Sequence, residues 1–512
     1  MPEGRRACRG TKAERDYKGG ALISYQPIIL YAFLHNEKIP MKCLLINPPM
    51  DYDVTKKEYS FESYMPPLGL LYLASPLEKN GHKVKVIDFI AESFTDEKLN
   101  EEVSEVDLIG ITIASQVATS AKKITDLIKQ FDPKRTVIIG GPHCTIQGEE
   151  VLNEINADIS VSGDGEKVIL EIVDALNGKK DLSKIHGIFY REKGKIKRGL
   201  PPEEIEDLDS SDFPARHLIK QYSYGKKTVS GVTFFARGKI TTMMTTRGCP
   251  FNCRFCVSKS IFRKCRLRSA ENVVEEMEEI SKDYDTVFVV DDNFLIDKKR
   301  AHNIMDLLIE KDLDLDIWIS GVRVTDADEE LYKKMKKADI KSLEFGIESG
   351  NQEVLDYYNK RITLKQVEKA IKLSKKTGFF TVGNFILGSP IETDKHINDT
   401  ISFAKKLNLD FAFFYAFNFL KGSEIWEDAH KQGKINENEM FVPCDSRRGL
   451  CNFTPEELRE RLHKSYLSYY ITPKYLISQL IRSIFVYGNF RVFTAGLKLL
   501  IDQKEETLFA KR

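Results

Sequence analysis

The chain has 512 residues, enough for two or more domains with sizeable cores, and its 42% hydrophobic and 30% charged content is that of a globular protein. Lysine and arginine number 77 against 76 aspartates and glutamates, a net charge of +1, which excludes a global pull toward nucleic acid or anionic membrane. Nine cysteines in so long a chain do not suggest a disulfide framework and point to a reducing cytoplasm, and no apolar run reaches the roughly 18 residues of a transmembrane segment.

Basic residues from Arg5 to Lys18 lead into the apolar run Ala21 to Leu34, an outline shared with secretion signals, but Pro27 breaks the run and no small-x-small cleavage site follows. Met41 opens Met-Lys-Cys-Leu-Leu-Ile-Asn-Pro-Pro, a strand ending in a turn. Residues 1–40 therefore read as an extension or tail ahead of a natural start at Met41, with export as the alternative.

From 41 to 177, short apolar runs alternate with helix-like segments, the pattern of a doubly wound, Rossmann-like α/β domain. The expected strands are Lys42 to Ile46, Lys83 to Asp88, Asp107 to Ile113, Thr136 to Ile139 and Asp158 to Val161. The expected helices are Leu68 to Lys79, Asp96 to Val103, Val117 to Gln130, Gly148 to Asn156 and Lys167 to Leu176. Five parallel strands put a ligand crevice at their carboxyl ends. Asn47-Pro48-Pro49, Asp88, Ser115-Gln116, Gly140-Gly141-Pro142-His143 and Gly163-Asp164-Gly165-Glu166 fall there. Residues 178–238, with Pro201-Pro202 and an acidic patch from Glu203 to Asp212, read as a connector with no assigned chemistry.

From 239 to 427 strand and helix repeat six times, predicting a partial (βα)6 TIM-type barrel whose active side is the end where strands pass into helices. The strands are Thr241 to Thr246, Thr286 to Val290, Asp316 to Ser320, Ser342 to Ile347, Phe380 to Leu387 and Asp410 to Phe417. Directly after the first comes Arg247-Gly248-Cys249-Pro250-Phe251-Asn252-Cys253-Arg254-Phe255-Cys256. Three thiolates there can hold three irons of a cubane, and Gly248 and Pro250 let the loop bend tightly, which leaves the fourth iron for a small chelating ligand. A zinc site would want a fourth Cys or His nearby, and plain buried cysteines are the other alternative.

Polar residues punctuate the later strand ends: Asp291-Asp292-Asn293, Arg323, Gly346-Ile347-Glu348-Ser349-Gly350, and Gly388-Ser389-Pro390 with Glu392. Each alone could be a helix cap or a turn. The aromatic strand Asp410 to Phe417 offers Tyr415 or Phe413 to a substrate cavity, or to packing against outer helices. Residues 428–512 are mostly helical, with Tyr475 to Tyr487 and Val492 to Ile501 expected to cover the barrel mouth, or less readily to lie near lipid. Cys444 and Cys451 are too few for an auxiliary cluster unless Cys265 joins them.

The cysteine trio resembles that of the radical S-adenosylmethionine (AdoMet) superfamily, in which AdoMet takes the open iron and is cleaved to a 5'-deoxyadenosyl radical. The doubly wound region, with Pro66-Pro67-Leu68-Gly69-Leu70, resembles the cobalamin-binding domain that precedes the radical core in one branch of that superfamily. The resemblance implies a 4Fe-4S cluster on Cys249, Cys253 and Cys256. It implies AdoMet contacts from Phe255, Asp291, Asp292, Glu348, Gly388, Ser389 and Pro390, and cobalamin contacts from Ser115, Gln116, Gly140, Gly141, Gly163 and Glu166. Arg323 and Tyr415 are cavity-lining candidates. No Asp-x-His-x-x-Gly is present, so a cobalt ligand from that motif is not expected, and His143 is not assigned as one. The amino-terminal region has only Cys43 and Cys144, unlike the second trio of radical methylthiotransferases.

The family implies methylation of an unactivated carbon on a small-molecule or lipid-like substrate, fed by an external one-electron donor such as ferredoxin or flavodoxin, in the cytoplasm or at a membrane periphery. Cobalamin-assisted oxidation, cyclisation or rearrangement is the enzymatic alternative, and a non-catalytic iron-sulfur redox sensor the alternative of another class.

Overall fold

The computed structural model describes residues 40–51, 65–225 and 236–485. The expected extension ahead of Pro40, the helix Val492 to Ile501 and the end of the helix Tyr475 to Tyr487 lie outside the described residues. Two α/β layers, which belong to one unit among the described residues from Lys42 onward, position everything that follows.

The first layer is a seven-stranded sheet in the order β2-β1-β3-β4-β5-β6-β7. β1 (Lys42–Asn47), flanked by β2 and β3, buries four consecutive apolar residues, as a strand covered on both faces must. β2 (Lys83–Asp88), β3 (Leu108–Thr112), β4 (Thr136–Gly140) and β5 (Ile159–Val161) continue the parallel ladder. Helices α1 (Leu68–Lys79), α2 (Asp96–Ser104), α3 (Ala118–Phe131), α4 (Pro142–Gln147) and α5 (Glu166–Leu176) connect them. Leu99 and Val103 of α2 and Ala121, Ile124 and Ile128 of α3 pack on Leu44, Ile46, Ile109 and Ile111. Leu70, Leu71 and Ala74 of α1 cover Leu45 and Val86 on the other face, in a core that runs on into the second layer.

Two expectations change here. Part of the supposed connector forms β6 (Ile188–Glu192) and β7 (Lys195–Arg198), an antiparallel hairpin that extends the sheet beyond its five parallel strands. Lys193 and Gly194 both take positive φ, 50° and 76°, as a two-residue hairpin turn requires. The expected helix Gly148 to Asn156 is reduced to a 3-10 turn and Val151–Glu154: Pro142 starts a separate helix at the position where a missing N–H costs nothing, and that helix ends on Gly148 at φ 65°.

The second layer is an all-parallel, six-stranded open barrel in the order β15-β14-β13-β12-β11-β8. It comprises β8 (Ile240–Met243), β11 (Thr286–Val290), β12 (Asp316–Val322), β13 (Ile340–Glu348), β14 (Phe380–Leu387) and β15 (Phe411–Ala416). A short ladder of β9 (Thr246–Arg247) and β10 (Arg266–Leu267) brackets the cysteine loop. Outer helices α6 (Ala270–Ser281), α7 (Lys298–Lys311), α8 (Glu329–Lys337), α9 (Leu364–Thr377) and α10 (Asp394–Leu407) start on side-chain caps such as Ser269, Asp297, Asp328 and Thr363.

The described part of the helix Tyr475 to Tyr487 does not cover the barrel mouth as expected. α11 (Pro455–Tyr470) runs along the open edge of β15. The Tyr466 hydroxyl accepts from Phe414 N at 3.0 Å and donates to Phe414 O at 3.2 Å, and Tyr470 does the same to Ala412 at 3.0 and 2.9 Å. Two phenols thus pair the backbone groups that a closed barrel would give to another strand. α12 (Pro473–Phe485) packs where strands begin: Tyr475 donates to Asp410 O and Arg482 to Phe379 O, at 2.8 and 3.1 Å. Cys444 and Cys451, seven residues apart, are joined by a disulfide, so they offer no thiolates to a cluster with Cys265.

Candidate functional site

The loop carrying Cys249, Cys253 and Cys256 leaves β9 at Gly248, whose φ is 85° and where a Cβ would lie 2.5 Å from Lys264 O. Only glycine lets the chain turn there. Cys256 N donates to Cys253 O at 3.0 Å, closing the turn that brings the second and third thiols together, and Ser258 N donates to Cys256 Sγ at 3.5 Å. Arg254 pins the loop from outside, with its backbone N on Tyr358 O at 2.9 Å and its guanidinium on Glu424 and Asp428 at 2.8 and 2.7 Å. Burial pushes the Cys256 thiol up to about 11 and raises Cys249; Asp292 and the neighbouring thiols add to both, and Arg323 partly offsets the rise at Cys249. Thiolates crowded in this way need cationic partners, which irons supply, so the donor set fits an iron-sulfur cubane.

Asp291 is buried at the end of β11, and its carboxylate accepts from Thr245 N at 2.6 Å, Thr246 N at 3.1 Å and the Thr245 hydroxyl. It ties down the break between β8 and β9 and has both oxygens occupied. Asp292 is exposed and accepts from Ser258 Oγ, beside Cys256. Asp297, not either of these, caps α7.

Arg323, buried after β12, lays its guanidinium 3.8 Å over the Phe251 ring and points Nη1 at Cys253 Sγ, 4.0 Å away. Its other nitrogen donates to Lys360 O. Lys360 escaped the sequence reading. It is buried, pairs with Glu348 at 2.6 Å and stands 5.9 Å from the centre of the Phe255 ring. Glu348 takes φ 65°, a left-handed conformation unusual for a side chain of its size, which turns its carboxylate toward Lys360. Gly388 N and Ser389 N donate to Glu392 Oε2 at 2.6 and 2.8 Å. Burial pushes the Glu392 carboxyl up to about 7. The Ser389 hydroxyl is buried without a hydrogen-bond partner, a polar group a ligand can satisfy.

Strand periodicity identifies the inner face of the barrel. A Cβ on Gly346 would lie 2.7 Å from Glu348 Oε1 and 3.0 Å from Lys360 Nζ, so Gly346 faces the site and Glu344 lies below it on the same face. Glu344 accepts from Ser320 Oγ at 2.9 Å and Asn384 Nδ2 at 2.7 Å, so three neighbouring strands fix one carboxylate in the interior. This trio was also missed, because each member reads as an ordinary strand residue. Tyr415 is 46% exposed and stacks on Phe413, with ring centroids 5.5 Å apart.

At the carboxyl ends of the first sheet lies a cavity of about 220 Å³, walled by α1, the glycines Gly140, Gly141 and Gly163, and Met244, Arg247 and Phe262 from the barrel. Gly141, at φ 105°, would place a Cβ 2.9 Å from Ile113 O, so the backbone there is stripped of side chain. Of the crevice candidates, Glu166 is bound by Arg247, Ser115 Oγ is 3.3 Å from His143 Nδ1, and Gln116 accepts from Asp51 N through its carbonyl. Burial lowers His143 to about 4, and its Nε2 has no partner. An apolar cleft floored by bare backbone fits the flat, partly apolar tail of a large cofactor.

A family model of the radical SAM superfamily matches residues 243–404, and one of the B12 binding domain matches residues 59–173. The chain is 34% identical over 448 residues to an uncharacterized methyltransferase of Pyrococcus horikoshii, covering 86% of this chain and 95% of that one. It is 29% identical over 357 residues to the anaerobic magnesium-protoporphyrin IX monomethyl ester cyclase of Rubrivivax gelatinosus, 67% of this chain and 63% of the relative. The structure of the radical S-adenosylmethionine methyltransferase TsrM from Kitasatospora setae, with cobalamin and a [4Fe-4S] cluster bound, matches with a TM-score of 0.65. That match covers 85% of this chain and 90% of that one at 18% identity, a likeness of fold.

Proposed function

The chain belongs to the cobalamin-binding radical SAM enzymes, and from that premise we propose that it transfers a methyl group to an unactivated carbon of a small molecule held inside the barrel. Its cofactors are a 4Fe-4S cluster, S-adenosylmethionine and cobalamin. When bound, the cluster supplies an electron, AdoMet the radical that removes hydrogen, and cobalamin the methyl carrier. The observation that carries the reading is the shared wall: Met244, Arg247 and Phe262, on the strand and loop that flank the cysteine trio, also line the crevice of the first sheet.

The residues divide the work. Cys249, Cys253 and Cys256 hold the cluster, and Arg323 places a positive charge beside Cys253. Asp292 receives the AdoMet ammonium, since Asp291 is spent on the backbone of Thr245 and Thr246. Lys360 and Glu348 orient the AdoMet carboxylate and ribose, Phe255 flanks them, and Gly388 to Pro390 lie along the adenine. Gly140, Gly141, Gly163 and Glu166 bound the cobalamin crevice, Glu166 held by Arg247, while Ser115 and Gln116 stand outside its lining. Glu344 accepts a hydrogen bond from the substrate, and Phe413 and Tyr415 keep water from the reacting carbon. An external one-electron donor of the ferredoxin or flavodoxin kind reduces the cluster.

A second reading, ring closure or oxidation without methyl transfer, is favoured by the cyclase relative. Anaerobic reconstitution, reduction and mass spectrometry separate the outcomes. 5'-Deoxyadenosine together with S-adenosylhomocysteine supports methyl transfer, 5'-deoxyadenosine alone supports the cyclase-like route, and neither product leaves a redox sensor.

A further inference from the structure

α12 presents two unlike faces. Tyr475, Gln479 and Ser483 are buried, and Ser478 and Arg482 bond Asn408 and Asp410 at the base of the barrel. The opposite face carries Ile477, Leu480, Ile481 and Ile484, at the i, i+3, i+4, i+7 spacing of one helical stripe, with Ile471 just before the helix. Ile477 is 59% exposed, Ile481 50% and Ile484 52%, and these five residues are half of the ten exposed large hydrophobic side chains among the described residues. A stripe of this kind is not what a surface helix leaves to water.

The helix itself carries charge of one sign. Pro473–Phe485 contains no acidic residue, and Arg482 turns inward to Asp410, so Lys474 is the exposed charge of the helix. Lys474 opens onto a cavity of about 390 Å³ that also holds Lys405 and Lys406 and has no carboxylate among its lining residues. Lys405 is bonded to the neutral Ser468 Oγ at 2.6 Å, while Lys406 pairs with the Glu368 carboxylate at 2.7 Å, so Lys405 and Lys474 carry the basic character of the hollow. Aliphatic side chains in a row beside a fixed basic hollow match a surface that is apolar inside and anionic at its rim.

We propose that α12 docks flat on a bilayer containing anionic phospholipids, with Ile477, Leu480, Ile481 and Ile484 at the acyl boundary and Lys474 and the lysine cavity at the phosphates. The overall charge of +1 does not bear on this, since the attraction acts within about 10 Å of the surface. α12 packs at the strand starts, so the cysteine end of the barrel faces away from the lipid.

The test is cosedimentation of the full chain with vesicles of equal parts phosphatidylglycerol and phosphatidylcholine, and with phosphatidylcholine alone. The chain is expected to bind the anionic vesicles and to release at about 0.5 M salt. An Ile477→Glu/Ile481→Glu variant is expected to lose binding at least about tenfold with unchanged circular dichroism and Tm, and Lys474→Glu to weaken it at least about fivefold. Failure of the parent chain to bind anionic vesicles overturns the proposal, as does binding that the isoleucine variant retains. So does light scattering that shows a dimer which the isoleucine variant dissociates. A fall in Tm in that variant without a change in vesicle binding shows a stripe covered by the chain itself, and equally overturns it.

Discussion

Asp164, in the loop after β5, accepts a 2.7 Å hydrogen bond from Arg247, two residues before the first cysteine of the trio. Arg247 also binds Glu166 and lies 5.2 Å from the Tyr72 ring, while Arg266, on the strand paired with β9, reaches Asp164 from the other side. The crevice loop and the cysteine loop therefore share one buried ionic junction. Burial would raise the Asp164 carboxyl, but Arg247 and Arg266 hold it below its usual value. Asp164→Asn should leave Arg247 to Glu166 and Arg266 to the more distant Glu204, and cost about 1–3 kcal/mol in urea unfolding, with less cobalamin retained on purification.

Alanine at Cys249, Cys253 or Cys256 should each abolish 5'-deoxyadenosine formation and lower iron bound per chain. Cys265, opposite the bend at Gly248 on the β9–β10 ladder, should tolerate alanine with its iron content kept. Iron and sulfide analysis with product mass spectrometry checks both outcomes.

Lys360→Met leaves Glu348 buried without its cation. AdoMet affinity, read by calorimetric titration, should fall at least about tenfold, and adding Glu348→Gln should restore much of the lost stability without restoring affinity.

Glu392 should make stability depend on pH. Its ordinary value of 4.5 is raised to about 7 by burial, so between those values the unfolded chain releases a proton that the folded chain keeps. Stability should decline as pH rises from about 4.5 to 7, by about 3 kcal/mol from this group. Glu392→Gln should flatten that slope in unfolding curves collected across the window.

Tyr466→Phe and Tyr470→Phe each remove a hydroxyl that serves both backbone groups of an edge-strand residue. Each should cost about 1–3 kcal/mol by thermal or chemical unfolding, with cluster content unchanged.

Local pattern made much of this molecule legible. The β1 run Cys-Leu-Leu-Ile, the six barrel strands and the cysteine spacing are short-range features, and the structure has five of those barrel strands within a residue or two of their expected bounds, while the first stops at Met243, three residues short of Thr246. Residues that matter through distant partners were not legible. Lys360 gains meaning only when the turn after Tyr357 folds it against Glu348, and Glu344 only when β12 and β14 bring Ser320 and Asn384 alongside. Asp291 and Asp292 look alike in sequence, yet the pleat buries the first and exposes the second. The hairpin at Lys193-Gly194 did carry a readable sign, two turn residues between apolar-polar runs, but the charge around it gave the appearance of a linker.

A barrel whose edge strand is fastened by phenols instead of another strand has a seam made of separable hydrogen bonds. Each hydroxyl can be removed alone, so the seam can be loosened in graded amounts while the six strands stay hydrogen-bonded to one another. The same phenols leave a neighbouring molecule no free ladder at Ala412 and Phe414 on which to add a strand, which keeps an unclosed sheet from becoming a seed for polymerisation.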